Sequence, residues 1–310
     1  RSEFAEDERK IVFLTNEAFH FALRDAIVAQ SVPNLVCHIG DAASLESILD
    51  RFLFYRLVEK IDSSLCPKTI SGDQDPTPVF GEHFVLRPRI SCSSLDRHEK
   101  VKIIRNQEEW RAAVETLRGH GLSEDDWCYQ ELMSIDPKEN VSICGWYDDD
   151  AKTPLLHCTR KVLQHPPGSG NGDVVERMES PPADLMQTAC RILGWLKYHG
   201  PFELEFVRDI EKNEWKVIEL NPRFWMQHGL IEEATNHALV RNYLGMPAGP
   251  QPRKAPRYWV NPLYQVFRIF KGDMRGAKYL LARDKWMPMC LMQALRYAPY
   301  HFRARRKLNH

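Results

Sequence analysis

The chain lacks most of the marks by which specialised protein classes announce themselves. No run of about 18 uncharged apolar residues occurs, which excludes a membrane-spanning helix. The eight cysteines, at positions 37, 66, 92, 128, 144, 158, 190 and 290, show no CxxC or His-rich spacing. In a chain of 310 residues that pattern speaks against a disulfide framework or zinc site, and for reduced, mostly buried thiols in the cytoplasm. Neither an HExxH motif nor a Ser-His-Asp or Cys-His arrangement appears. Internal repeats, long low-complexity segments and a secretory leader pattern are also missing. Net charge is zero, with 42 Lys and Arg against 42 Asp and Glu. Without overall basic charge or a base-reading motif, nucleic acid is not expected as a partner.

What is present is an ordinary globular composition, 43% apolar and 27% charged, in a chain long enough for several layers and more than one domain. The balanced charge is unevenly spread. Residues 253–310 carry a local balance of +12, and the preceding residues one of −12. This tail, with Tyr264, Phe267, Phe270 and Trp286 interspersed, is expected either to pack against the acidic remainder or to contact an anionic surface. Gly245–Pro256 reads as a linker before it. The elements expected upstream are a strand at Lys10–Thr15, helices at Asn16–Gln30 and Asp50–Ile61, and a strand at His83–Ser91 broken at Pro88. Further along are a helix at Gln107–Gly119 capped near Asn106, and strands at Asp126–Met133 and Val141–Tyr147. Thr159–Val175 reads as basic and then turn-rich, Ala183–Tyr198 as an amphipathic helix, and Glu232–Leu244 as helical.

The most informative segment is Gly200–Gly229, GPFELEFVRDIEKNEWKVIELNPRFWMQHG. Phe202, Leu204 and Phe206 alternate with Glu203, Glu205 and Val207, giving a strand with one apolar and one acidic face. In the following strand Val217, Glu219 and Asn221 share a face, opposite Lys216, Ile218 and Leu220. A loop centred near Lys212 sets Glu205 opposite Glu219 and Glu203 opposite Asn221. Like charges directly across a ladder are destabilising, and close carboxylates resist joint ionisation. A divalent cation removes both problems, and two carboxylates with an amide oxygen suit Mg²⁺. The same alternation also fits a half-buried hairpin whose acidic face is merely solvated.

The run VIELNPRFW, preceded by LEFVRD, resembles the metal-binding core of the ATP-grasp superfamily, nearest to the carbamoyl phosphate synthase-like and D-aspartate ligase-like carboxylate–amine ligases. The resemblance runs through most of residues 50–245. It implies an α+β fold in which two lobes with antiparallel sheets grip MgATP, preceded by a partial α/β N-terminal domain. The domains expected are a partial N-terminal unit at 5–49, an ATP-grasp domain at 50–245 and a basic C-terminal extension at 246–310. The implied activity joins a carboxylate substrate to an amine nucleophile through an acyl phosphate, using ATP and two Mg²⁺ ions, for which Mn²⁺ can substitute. Glu205, Glu219 and Asn221 are implied as metal ligands, and Arg223 as the catalytic contact to the transferring phosphoryl or acyl-phosphate group.

For ATP itself the resemblance points to Arg87 in FVLRPR and Arg51 in DRFLFY as phosphate contacts, suited by their planar guanidinium forks. The segment YQELM resembles the link between the two ATP-binding lobes, so Gln130, Glu131, Leu132 and Met133 are expected around adenine. Gly168–Asp173 resembles the loop passing the ribose, and His228 is a candidate substrate contact or a structural histidine. The family's flexible phosphate-covering loop is usually Gly-rich, whereas residues 90–100 here, ISCSSLDRHEK, contain no glycine. A nucleotide-binding homologue with weak or no ligase activity is therefore the alternative reading.

Overall fold

The structure, a computed structural model, describes residues 10–16, 19–20, 23, 34–38, 42–90, 101–149, 154–165, 170–250, 252, 254–288 and 292. The expected helix over 16–30 lies mostly outside these residues, as do the glycine-free loop at 91–100, residues 168–169 and nearly all of the tail beyond 288.

Two antiparallel sheets organise the molecule. The smaller has the order β3-β6-β4-β5, built from β3 (Thr69–Ser71), β4 (Phe84–Pro88), β5 (Lys102–Ile104) and β6 (Trp127–Glu131). The larger has the order β11-β10-β7-β8-β9-β12-β13. Its strands are β7 (Ile135–Asp148), β8 (Leu155–His165), β9 (Asn171–Arg177), β10 (His199–Asp209), β11 (Glu214–Asn221), β12 (Tyr258–Val260) and β13 (Lys285–Trp286). All its pairings are antiparallel except β12 with β13. A short parallel pair, β1 (Lys10–Ile11) with β2 (Leu35–Val36), precedes them. The chain passes from the small sheet to the large one through Leu132–Ser134, the link anticipated from YQELM.

Each sheet buries one face against helices. The helices Arg51–Glu59 and Ala183–Trp195 pack Phe54, Tyr55, Ile192 and Leu193 onto Phe202, Leu204 and Phe206 of β10. In the small lobe, Ala113 and Leu117 of the helix Gln107–Gly119 meet Phe84, Leu86, Trp127 and Tyr129. That helix starts where its sequence says it should, because the Asn106 side chain accepts a hydrogen bond from the Glu109 amide. β4 ends at Pro88, which has no amide to give to the ladder. Burying each large apolar side chain contributes roughly 1.5–3 kcal/mol, so the aromatic seam of β10 is what fixes the hairpin's orientation.

Two features differ from the sequence reading, and a third meets one of its two expectations for the basic tail. Residues 155–177 form two paired strands, β8 and β9, rather than a turn-rich stretch. The Gly- and Pro-rich cluster only joins them. The stretch expected as one helix over 232–244 is two, His228–Thr235 and Ala238–Tyr243, separated by Asn236 and His237 in the left-handed region at φ 51° and 64°. Finally, the basic segment after the linker continues the large sheet. Tyr258, Trp259 and Val260 pair with Glu176, Val175 and Val174. Arg257 reaches Glu176 at 2.6 Å and Arg268 reaches Asp173 at 2.8 Å, so part of the tail's charge is met within the molecule. Among the described residues no helix is long and apolar enough to cross a membrane.

Candidate functional site

The β10–β11 hairpin has the register that alternation implied: Glu205 stands opposite Glu219, and Glu203 opposite Asn221. Just beyond, the ladder slips. Phe206 pairs with Val217, which leaves Ile218 as an extra residue in β11. This bulge corrects one detail of the sequence reading, which placed Val217 on the acidic face. Val217 instead enters the core with Phe206 and Leu220, while Glu219 and Asn221 face the cavity. The bulge is anchored from below, because the buried Tyr55 hydroxyl donates to the Ile218 carbonyl at 2.8 Å.

Three glutamates, Glu203, Glu205 and Glu219, line one cavity of about 340 Å³ together with Asn221, Arg223 and Lys161. Their charge is only partly met. Lys161 Nζ lies 2.6 Å from Glu205 Oε2, and Arg51 Nη2 lies 3.0 Å from Glu219 Oε2. Asn221 Nδ2 donates to Glu203 at 3.2 Å and sits 3.5 Å from Glu219, while its Oδ1 accepts from Arg223 Nη2 at 3.2 Å. Burial and then the neighbouring Glu205 push the Glu203 carboxyl up to about 8. For Glu219 burial acts in the same sense but is overridden by Arg51, Arg87 and Lys161, which hold it at about 2. Burial likewise opposes the charge of Lys161, yet Glu205, Glu203 and Glu219 raise its pKa above the ordinary value.

This donor set fits a hard divalent cation. All the candidate ligand atoms are oxygens, and the Glu203 carboxyl, which burial and then Glu205 keep from ionising, can ionise once a cation enters. Among the described residues no group of three or more His, Cys, Asp or Glu converges tightly enough to hold a metal unaided. Mg²⁺ would therefore complete its shell with water and phosphate oxygens, its usual habit. Asn221 would turn its amide over to offer Oδ1 in place of Nδ2.

Of the other residues expected from sequence, Arg51 and Arg87 lie close enough to Glu219 to hold its carboxyl low. Arg87 is buried, donates to Gln130 Oε1 at 3.3 Å, and has an Nε without a partner among the described residues. Arg51 also donates to the Pro88 carbonyl at the end of β4. Gln130 to Met133 run from β6 into the interlobe link and do not line the acidic cavity. The Glu131 carboxylate is taken by the Lys68 amide and Lys212. Reading the sequence alone did not single out Lys161, Thr15 or Asn171, which also line the cavity. Lys161 had a signal: it is a lysine inside the alternating run LLHCTRKVLQH, where a buried cation needs an acidic partner. Gly172 leaves it room, since a Cβ there would come within 3.2 Å of the Lys161 side chain and 2.5 Å of Val175.

Comparison with known proteins places this arrangement. Residues 177–251 match the family model described as the carbamoyl-phosphate synthase L chain, ATP binding domain. No curated protein matches the chain in sequence. Among solved structures, pyruvate carboxylase from Rhizobium etli aligns with TM-score 0.61 and 14% identity, over 76% of this chain and 21% of that one. Carboxyaminoimidazole ribonucleotide synthase from Aspergillus clavatus, complexed with ATP, aligns with TM-score 0.60 and 13% identity over 88% and 70%. N5-carboxyaminoimidazole ribonucleotide synthetase from Thermus thermophilus aligns with TM-score 0.57 and 20% identity over 79% and 64%. The chain thus spans about a fifth of the first of these relatives and just under two thirds of the third. The fold is the α+β ATP-grasp fold.

Proposed function

We propose that this chain, built on the ATP-grasp fold, is an ATP-dependent ligase that activates a carboxylate as an acyl phosphate and transfers the acyl group to an amine. The observation that carries this reading is the placement of Glu205 directly opposite Glu219 on a cavity wall, with Arg51 and Arg87 close to Glu219. Carboxylates paired across a ladder in a buried wall are costly unless a cation joins them. Guanidinium groups at the same place suit the phosphates that such a cation would bring. The matching ATP binding domain model and the solved relatives complexed with ATP or ADP point the same way.

In this reading Glu205, Glu219 and Asn221 hold Mg²⁺, and Arg87 and Arg51 bind the nucleotide phosphates. Gln130 to Met133 border adenine from the interlobe link. Bound Mg²⁺ supplies charge neutralisation for the transferring phosphoryl group. Arg223, at the mouth of β11, offsets charge on the acyl-phosphate oxygens, so that catalysis is largely positioning and electrostatics. The Arg51–Glu219 ion pair at 3.0 Å must open when metal and phosphate enter, each partner then taking a ligand of opposite sign.

The test is calorimetric titration of ADP and a non-hydrolysable ATP analogue, with and without Mg²⁺, into wild type and Glu219→Gln. Mg²⁺-dependent binding that disappears in the variant is the expected result. ATP-dependent ligation that survives in Glu219→Gln with unchanged Mg²⁺ dependence would sink the assignment.

A further inference from the structure

His228 opens the helix His228–Thr235 and lines the same cavity as Glu205, Glu219 and Arg223. Its ring is fixed in a way that decides its chemistry. Nδ1 stands 2.6 Å from the Trp225 carbonyl oxygen. A carbonyl can only accept, so the proton is on Nδ1 and the neutral ring carries its lone pair on Nε2. No described residue engages that Nε2. Edge-on contacts with Phe224, at 5.3 Å between ring centroids, and Trp225, at 6.3 Å, hold the imidazole in place.

We infer that His228 is the general base that takes the proton from the amine nucleophile as it attacks the acyl phosphate, an inference that rests on the ligase reading above. The other titratable groups that line the cavity are committed elsewhere. On β8 Lys161 is charged and bound to Glu205. On β10 Glu203 accepts from Asn221, and on β11 Glu219 is held by Arg51. Arg223 carries only N–H donors and no lone pair to accept a proton. The neighbouring Gln227 spends its amide on the Gly172 carbonyl at 3.0 Å. His228 thus offers a lone pair that is neither paired with a cation nor assigned to the metal. Burial lowers its pKa, which keeps the ring neutral and able to accept.

The step balances simply. The amine nitrogen forms a bond to the acyl carbon, the bond from that carbon to the phosphate oxygen breaks, and its electron pair leaves with orthophosphate. An amine that arrives as its ammonium ion loses one proton to His228 Nε2 as its lone pair attacks, and the second proton, lost by the new amide nitrogen, goes to the departing orthophosphate.

The experiment uses the full chain with MgATP. Bicarbonate and the amino acids serve as carboxylates, and ammonium chloride or hydroxylamine as nucleophile. His228→Asn keeps an N–H for the Trp225 carbonyl but has no basic nitrogen. Coupling to ammonia should fall by about 100-fold in the variant, with the KM for ATP unchanged and the acidic limb of the pH–rate profile lost. Added imidazole should restore it. Hydroxamate formation from hydroxylamine, which is uncharged at neutral pH, should fall far less. Equal losses with both nucleophiles, or no loss, would overturn the assignment to His228. Failure of the ligase reading looks different, since wild type itself would then release no ADP with any pair. In that event ¹⁵N histidine spectra, assigned by the same variant, decide the point. An Nε2–H tautomer or a charged ring at neutral pH removes the base; a neutral Nδ1–H ring supports it.

Discussion

Two of the buried carboxylate clusters in the large lobe are treated oppositely. Behind β9, Asp173 meets Arg268, whose guanidinium also donates to Asp273 and to the Gln164 carbonyl at 2.5 Å. Arg275 and Arg268 draw the Asp273 carboxyl far below its usual range, and Arg268 stays charged although it is buried. In the cavity, three glutamates face Lys161 and Arg51, and burial, followed by the neighbouring Glu205, pushes the Glu203 carboxyl up to about 8. The first cluster is closed: a cation on this chain already occupies its centre. The second is built around a charge that the chain does not supply. Buried acid residues mark a binding site only where their own protein leaves the account open.

The sharpest way to break this contrast is Arg268→Met, which leaves Asp173 buried without its partner. Removing one member of a buried pair costs about 3–5 kcal/mol, so urea unfolding should show a loss of that order. Asp173→Asn in the same chain should return part of it. Glu219→Gln should act on binding as well as on stability: Mg²⁺-dependent ADP affinity drops about 100-fold, roughly 3 kcal/mol, and the unfolding midpoint falls because Arg51 loses its ion pair. Arg87→Met, judged by the same titration, should weaken nucleotide binding by about 10-fold, in line with one charge-assisted contact. A further effect concerns pH. The folded-state pKa of Glu203 is raised, so the folded protein holds a proton that the unfolded chain releases. Without Mg²⁺, stability should fall as pH climbs from the ordinary carboxylate range toward about 8 and level off above it. Glu203→Gln should flatten that slope in thermal melts, and a slope unchanged in the variant would assign it to another group.

Much of this could be read from the chain because the informative residues act locally. The Asn106 cap, the Pro88 strand end and the pairing of Glu205 with Glu219 each depend on spacing within one or two neighbouring elements. What escaped depends on distant partners. Lys161 matters only because β8 lies two strands from β10 across β7, a relation that no local pattern encodes. The basic run from residue 253 looks like an independent unit until β12 is seen paired with β9. The strands β8 and β9 were obscured by the turn residues between them, which dominate the composition of that stretch. Asn236 and His237 split one apparent helix because two consecutive left-handed residues leave no trace in hydrophobic periodicity.

The extra residue at Ile218 has a consequence for how this hairpin can change. It shifts the side-chain phase of β11 by one, so that Val217 and Leu220 face the core although three positions separate them. The length of the strand can therefore change by one residue on the turn side of Glu219 without moving that carboxylate. Deleting any single residue from 215 to 218 would close the bulge, keep the turn and leave Glu219 opposite Glu205, whereas deleting Leu220 would carry Asn221 to the core side. The loop at Ile210–Asn213 lies on the far side of the phase shift from Glu219, between strands that end in charged pairs at the surface. The run from Glu219 to Arg223, which pairs without interruption up to Asn221, is the part of the hairpin whose spacing is a fixed ruler.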